Sequence, residues 1–307
     1  MPTPSELQNE RPRRSVFGNF ASSPVAAAGQ SAANNGQQSA TLSRDAATLQ
    51  QTIDGAVART FLYRFLAKAF EDTDPQGWAW LTSSEVTGAL RAAAQTPSPT
   101  AASPLGMLAE ELLRQFTPPA FDDFAAAYLT CFGHTVRGDC PMNEIEYGDI
   151  KADPLFQPHR LSDLGAFFAA FGLEITPDAA ERVDHISIEL EFMSVLAAKE
   201  AHALEHQFEE EALATLRDAQ KKFLREHLGR WTPAFARRLA RMADGTPLGA
   251  LARMLGKFIK LECARLKIPA GSEDLLLRPV DDSAERLCES CGIHGLPPGA
   301  ATAGPKL

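Results

Sequence analysis

Apolar residues recur at helical spacing through most of the chain. Ile53, Val57, Phe61, Phe65 and Ala69 follow one another every four residues, which predicts one broad apolar stripe on a first helix. The same reasoning predicts further helices at about 78–94, 105–116, 121–132, 159–171, 178–204, 207–228, 233–243 and 247–266. No alternating strand pattern accompanies them, so we expect an all-α fold, a single helical bundle of about nine to ten helices.

The ends of the chain and one internal stretch depart from this pattern. Residues 1–44 are rich in Ser, Ala, Asn, Gln and Pro, which predicts a disordered N-terminal tail. Residues 45–268 then form the helical domain, and 269–307 form an irregular tail rich in Pro and Gly. Between Gly133 and Pro158 lies a loop of about 25 residues, a length that suggests function in a compact helical domain.

Composition narrows the class of partner. The 307-residue chain carries a formal net charge of −9, whereas a nucleic-acid surface needs clustered Lys and Arg. No run approaches the roughly 18 apolar residues of a membrane helix, and five cysteines do not suit a disulfide-stapled secreted domain. We therefore expect a cytoplasmic protein with reduced thiols, which neither enters membranes nor binds nucleic acid. Arg13 and Arg14 resemble an export signal superficially, but no apolar segment follows, so a basic tail is favoured.

Motifs of catalysis are missing from the sequence. It has no dinucleotide-binding glycine motif, no phosphate-binding loop, no Gly-x-Ser-x-Gly elbow and no Glu-x-x-His pair. We expect no catalytic residue and no cofactor. Cys288, Cys291 and His294 are a weak metal candidate, because the usual second half of such a zinc site is absent.

Two pairs of residues four apart could also reach one metal ion. His202 and His206 lie among several glutamates, so a solvated charged surface is favoured for them. For His185 and Glu189, a hydrogen bond between the imidazole and the carboxylate is favoured over a metal. Neither pair supports a metal centre.

Two segments carry the functional interpretation. The first runs from Tyr128 through Gly148 and ends a helix on aromatic residues before a turn-rich loop with acidic and aromatic side chains. Such a loop suits a basic, partly apolar peptide, because carboxylates pair with Arg and aromatic rings bury area at little entropic cost. This predicts an apolar groove rimmed by carboxylates near the loop. The alternative is that the loop merely packs on the bundle.

The second segment, residues 181–193, leads into a long helix. Glu181 and Asp184 would stand in its opening turn, where carboxylates favour the positive end of the helix dipole. One face of the helix would be buried: Ile186, Leu190, Met193 and Ala197. An adjacent face would pack against the long loop: His185, Ile188, Glu189 and Phe192.

The order of these motifs resembles the TorD/DmsD/NarJ family of redox-enzyme maturation chaperones. The motifs are Tyr-x-x-x-Phe-Gly, Gly-Asp-Cys-Pro-x-x-Glu-x-x-Tyr-Gly, Phe-Ala-Ala-Phe-Gly-Leu and Glu-Arg-x-Asp-His-Ile-x-x-Glu-Leu-Glu-Phe-Met. The resemblance covers about residues 50–266 and is particularly to members that accompany dimethyl sulfide, chlorate, selenate and ethylbenzene oxidoreductases. This chain has Met142-Asn143 where a Pro-Tyr or similar pair is frequent, so its peptide preference stays open.

The resemblance implies a chaperone without enzymatic activity. It would bind the immature catalytic subunit of a molybdenum-cofactor enzyme, including its N-terminal twin-arginine signal, and hold it for cofactor insertion before export. A permanent accessory subunit and a metal- or redox-active helical protein are the alternatives, and a monomer and a homodimer are both compatible. The predicted partner-binding set has two parts. Seven residues match the family motifs by position: Tyr128, Cys140, Pro141, Glu144, Tyr147, Asp184 and His185. Three more lie beside them: Phe132, Asp139 and Glu189.

Overall fold

The computed structural model describes residues 36–71, 73–96, 103–133, 138–148, 156–176 and 181–278, with side chains from residue 46 in the first helix and from residue 158 in the sixth. These ranges contain ten α-helices and no strand beyond two isolated bridges, which confirms the all-α bundle. None of the described helices combines the length and apolarity needed to cross a membrane. The helices are α1 Gly36–Ala69, α2 Pro75–Leu81, α3 Ser84–Gln95, α4 Pro104–Gln115, α5 Phe121–Phe132, α6 Phe156–Ala170, α7 Ile186–Glu205, α8 Glu210–Glu226, α9 Leu228–Met242 and α10 Pro247–Arg265.

Helices α1 and α7 pack against each other most extensively and form the centre of the bundle. Helix α7 is buried on nearly every side, as expected for a helix that is apolar all round. The stripe predicted for α1 is partly wrong, because Val57 is 52% exposed while Tyr63 and Phe70 are fully buried. Helix α1 also contacts α3, so its buried side chains are shared between two neighbouring helices.

Several helix boundaries differ from those predicted. Helix α1 begins at Gly36 rather than near Arg44, so the helix extends beyond its apolar stripe. The single helix expected at 78–94 is two helices, because the Ser83 side chain accepts from the backbone N–H of Val86 and starts α3 anew. Residues 1–35 and 279–307, with the Arg13-Arg14 pair and the Cys288, Cys291 and His294 candidate, lie outside the described residues.

Helix α9 begins at Leu228, so Pro233 lies inside it instead of starting it as predicted. Proline has no N–H to donate to the carbonyl four residues earlier, which leaves the oxygen of Gly229 without its helical partner. The backbone N–H of Gly271 donates to this oxygen at 2.9 Å. A β-carbon at Gly271 would lie 1.9 Å from the carbonyl oxygen of Arg230, so only glycine allows this approach.

Candidate functional site

The loop of residues 138–148, here called the inner loop, lies against the start of α7. The N–H of Glu144 donates to the carbonyl of Asp184 at 3.0 Å, and the N–H of Ile186 donates to that of Met142 at 2.9 Å. Between them, Asn143 and His185 form an antiparallel bridge. The predicted packing of the loop against the entry of α7 is confirmed for His185, whereas Phe192, predicted on the same face, packs against Phe168 of α6 and Phe223 of α8.

Asp184 fastens this contact with its buried carboxylate. One oxygen accepts from the N–H of Ile145 and the other from the amide of Asn143, both at 3.2 Å. The guanidinium of Arg182 binds both oxygens, at 2.5 and 3.0 Å. The expectation that Glu181 and Asp184 lie in the first turn of α7 is wrong, because the helix begins only at Ile186. Asp184 instead receives hydrogen bonds from the inner loop.

His185 is the N-cap of α7 and is 2% exposed. Its Nδ1 lies 2.7 Å from the Ser187 hydroxyl and accepts from the Ser187 N–H at 3.3 Å. Burial, with the charge of Arg182, lowers the pKa of His185 to about 3, so the ring is neutral at physiological pH. The expected hydrogen bond between His185 and Glu189 is wrong, because the Glu189 carboxylate accepts from the indole of Trp231.

Glu144 holds the inner loop to the α8–α9 junction. Its fully buried carboxylate accepts from Nδ1 of His227 at 2.9 Å and from Nη2 of Arg230 at 3.1 Å, and Arg160 lies 3.6 Å away. Burial raises the pKa of Glu144, but the hydrogen bond with His227 and these cations outweigh it, and the pKa falls below its ordinary value. The side chain is therefore an ionised carboxylate inside the protein, matched by the groups around it.

Glu189 is a second buried carboxyl group with the opposite behaviour. Its burial, with the negative charges of Glu144 and Asp184, raises its pKa well above the ordinary value. The indole N–H of Trp231 lies 3.3 Å from both of its oxygens. The environment of Glu144 therefore favours its ionised form, whereas that of Glu189 favours its protonated form.

The other edge of the inner loop is covered by residues 276–278. The N–H of Gly148 donates to the carbonyl of Leu276, and that of Arg278 donates to the carbonyl of Glu146, both at 2.8 Å. Within the loop, the Tyr147 hydroxyl donates to the Pro141 carbonyl at 2.8 Å. Residues 269–278, predicted as part of the irregular tail, have no helix or strand but pack on the bundle, and residues 276–278 cover the open edge of the inner loop.

Most of the predicted partner-binding residues are therefore inside the protein. Buried are Phe132, Cys140, Pro141, Glu144, Tyr147, Asp184, His185 and Glu189. Burial raises the pKa of the Cys140 thiol to about 12. Asp139 is exposed and Tyr128 is half-buried, with its hydroxyl 3.6 Å from the Met142 sulfur. In this conformation the buried members shape the surface but do not themselves reach a partner.

A groove between α2 and the start of α5 was not identified from the sequence. It has a volume of about 380 Å³ and a mostly apolar lining, to which two hydroxyl side chains also belong: Pro75, Trp78, Ala79, Thr82, Ser83, Pro118 and Phe121. Beyond it, Ala125 and Tyr128 continue along α5 as half-buried residues, and Leu129 is 50% exposed. The only sequence signal for this groove is the density of Trp and Pro in two separate segments, around Trp78 and around Pro118.

The histidine pair on α7 is a surface feature, as favoured from the sequence. His202 and His206 are both exposed, with ring centroids 4.0 Å apart. Within the part of the chain that the structure describes, no three or more His, Cys, Asp or Glu side chains are grouped to hold a metal ion. The two histidines have one neighbouring exposed aromatic, Phe208.

Comparison with known proteins finds similarity to one family over this region. A family model described as nitrate reductase delta subunit matches residues 98–237. The perchlorate reductase assembly chaperone of Dechloromonas aromatica (strain RCB) is 28% identical over 191 residues, 60% of this chain and 78% of that protein. A TorD chaperone of Vibrio cholerae (strain ATCC 39315) is 33% identical over 117 residues, 38% of this chain and 51% of TorD. The selenate reductase assembly chaperone of Thauera selenatis is 31% identical over 106 residues, 34% and 52% of the two chains. This chain therefore spans about half the length of the last two.

Proposed function

Because this chain belongs to the TorD/NarJ family, to which the nitrate reductase delta subunit model corresponds, we propose that it is a system-specific assembly chaperone for a molybdenum-cofactor oxidoreductase. Its client would be the immature catalytic subunit, bound in the cytoplasm and held for cofactor insertion before export. The carrying observation is that the family match, residues 98–237, includes α5, the whole inner loop and the start of α7. These are the elements on which the sequence motifs lie.

The chemistry of the buried cluster supports binding rather than catalysis. Glu144, His227, Glu189 and Trp231 satisfy one another inside the protein, whereas a general acid or base must reach a substrate proton. These buried groups would hold the inner loop in place. The loop in turn would position the exposed Asp139 and the half-buried Tyr128 for a partner. We therefore propose no enzymatic activity for this chain.

The decisive experiment is co-purification of the full chain with the catalytic subunit of a molybdenum enzyme from the same organism. A chaperone is expected to bind the cofactor-free subunit and to release it once the cofactor is loaded. If the purified chain binds neither form, the proposed function is refuted.

A permanent accessory subunit is the second candidate, and the words "delta subunit" in the description of the matching family favour it. The same experiment separates the two. An accessory subunit would stay with the mature, cofactor-loaded enzyme in stoichiometric amounts, whereas a chaperone would be absent from it.

A further inference from the structure

Two antiparallel contacts flank the inner loop, and they differ in burial. On one side Asn143 pairs with His185, and on the other side Tyr147 pairs with Leu277. Each contact is made by two backbone hydrogen bonds of 2.8–3.0 Å. The first contact is inside the protein, where His185 is 2% exposed, whereas Leu276 in the second is 67% exposed. The two contacts therefore have the same backbone bonds but not the same protection from water.

Residues 272–278, here called the strap, form the exposed contact. The strap follows Gly271, whose N–H donates to the Gly229 carbonyl, and it contains no helix or strand. Its first three residues are exposed, and its apolar contribution to the core comes from Leu275 and Leu277, which are only half-buried. A segment with so few buried apolar contacts opens at a lower free energy than the helices beneath it.

Ion pairs hold the middle of the strap to the bundle. Asp274 binds Arg237 of α9, and Glu273 binds Lys260 of α10. The Glu273 carboxylate also lies 3.9 Å from the Arg237 guanidinium. Helix α9 contains four Arg and no Asp or Glu, so the two carboxylates face a basic surface. Glu273 is 41% and Asp274 is 81% exposed in the side chain, so water and salt weaken these pairs.

The strap covers an edge of the inner loop that could pair with another chain. The N–H of Gly148 and the carbonyl of Glu146 bond to Leu276 and Arg278 of the strap. Arg278 also lies 3.6 Å from the Glu146 carboxylate. An uncovered backbone edge pairs readily with an extended segment of a partner. The closed strap denies the edge to such a segment.

We propose that the strap is an autoinhibitory contact, which opens while the bundle stays folded and, when closed, blocks the edge formed by residues 146–148 from an extended segment of the client subunit. This proposal rests on the proposed function and adds a regulation to it. The ion pairs of Glu273 and Asp274 determine how often the strap opens. Because only the open population can bind through this edge, the apparent affinity for the client falls in proportion to that population.

Residue-resolved hydrogen exchange of the full chain tests the opening. The amides of Gly148 and Arg278 are expected to exchange faster than those of Glu144 and Ile186, which make the equivalent bonds on the buried side of the loop. Equal exchange at the four amides would mean that the strap opens only when the bundle unfolds, and the proposal would be wrong.

Reversing the charges of the strap tests the ion pairs. Glu273→Lys/Asp274→Lys places like charges opposite Lys260 and Arg237, so exchange at Gly148 should become about tenfold faster or more. Adding Arg237→Glu/Lys260→Glu restores opposite charges, and exchange should return to near the parent rate. If it does not, the ion pairs do not hold the strap.

Titration with the cofactor-free catalytic subunit by calorimetry tests the block. The charge-reversed strap variant should bind the subunit more tightly, by about the same factor by which its exchange at Gly148 rises. The matched control is Glu110→Lys/Asp244→Lys, which reverses two paired carboxylates of the same exposure, 41% and 81%, away from the strap. It should match the parent in both assays. Thermal unfolding of each variant shows whether the fold is kept.

Failure of the regulation and failure of the function give different results. If the folded strap variant exchanges faster but binds the subunit like the parent, the strap does not block the client, and the chaperone function stands. If neither the parent nor the strap variant binds the subunit, the proposed function is wrong. Tighter binding that is absent in the control and is reversed by the fourfold charge exchange supports the proposal.

Discussion

Replacing Glu144 by Ala tests whether the buried charge cluster holds the inner loop. The carboxylate has no exposed surface and is contacted by His227, Arg230 and Arg160 at 2.9, 3.1 and 3.6 Å. Its removal leaves cations in the interior without their partner, which costs about 3–5 kcal/mol for a fully buried pair. Arg230 and Arg160 keep 23% and 17% of their side chains exposed, so we expect the lower end of this range.

The assay is thermal unfolding of the full chain followed by circular dichroism. For a domain of this size, about 3 kcal/mol corresponds to a drop in Tm of about 6–12 °C. Glu110→Ala is the matched control, because Glu110 binds Arg91 through two hydrogen bonds on the surface, where water replaces the lost partner. If both variants lower the Tm equally little, the cluster does not anchor the loop and the reasoning is refuted.

Further predictions concern single residues of the same region. His185 has a pKa of about 3 in the folded state, whereas an unfolded histidine takes up its proton near pH 6.5. Lowering the pH from 7.5 to 5.5 therefore protonates this residue only in the unfolded chain, and the free energy of unfolding should fall by about 1.4 kcal/mol through this group. Denaturant unfolding at both pH values should show a smaller loss in His185→Gln, and an unchanged loss there would contradict the assignment. The pKa of Glu189 is raised in the folded state, so the folded protein binds this proton more tightly than the unfolded chain does. The resulting stabilisation is fully present below about pH 4.5 and is lost as the pH rises towards the pKa of the folded state. Glu189→Gln should therefore unfold at a higher temperature than the parent at pH 8, with a difference that shrinks towards pH 4.5; a variant less stable at every pH would argue against a protonated Glu189. Gly271→Ala should lower the Tm because its β-carbon meets a backbone oxygen at 1.9 Å, whereas Gly88→Ala, with open space around it in α3, should raise stability by about 0.5–1 kcal/mol. Equal shifts in these two variants would show that α9 does not need the close approach.

The helices could be predicted well where a local signal marks their ends. Ser103 and Pro104 indicate the start of α4, and Pro104 is its first residue, with the Ser103 hydroxyl as cap. The start of α7 was placed too early because the residues before it are also compatible with a helix. Their backbone is instead committed to the inner loop through the bond between Glu144 and Asp184, a contact between residues far apart in sequence.

The candidate site was only partly predictable for the same reason. Glu144 stands out in the sequence as an acidic residue in a loop that also carries Tyr147, which favours a binding surface, and Asp184 and Glu189 lie in the second motif-bearing segment. Whether such a side chain points outwards depends on its partners, and the partners of Glu144 are His227 and Arg230 on distant parts of the chain. The α2–α5 groove required two segments to meet, and no periodicity in either one indicates the other.

The hydrogen bond from Gly271 to the Gly229 carbonyl can form only late in synthesis, because Gly271 follows all ten described helices in the chain. During synthesis, α7 and α9 leave the ribosome before residues 271–278 do, and the inner loop precedes all of them. The loop is therefore bordered by α7 and α9 first, and its last edge is closed only after residue 278 has emerged. A nascent chain that ends after α10 would lack Gly271, so the Gly229 carbonyl, to which Pro233 cannot donate, would have no donor from the protein. Its inner loop would also be open along one side.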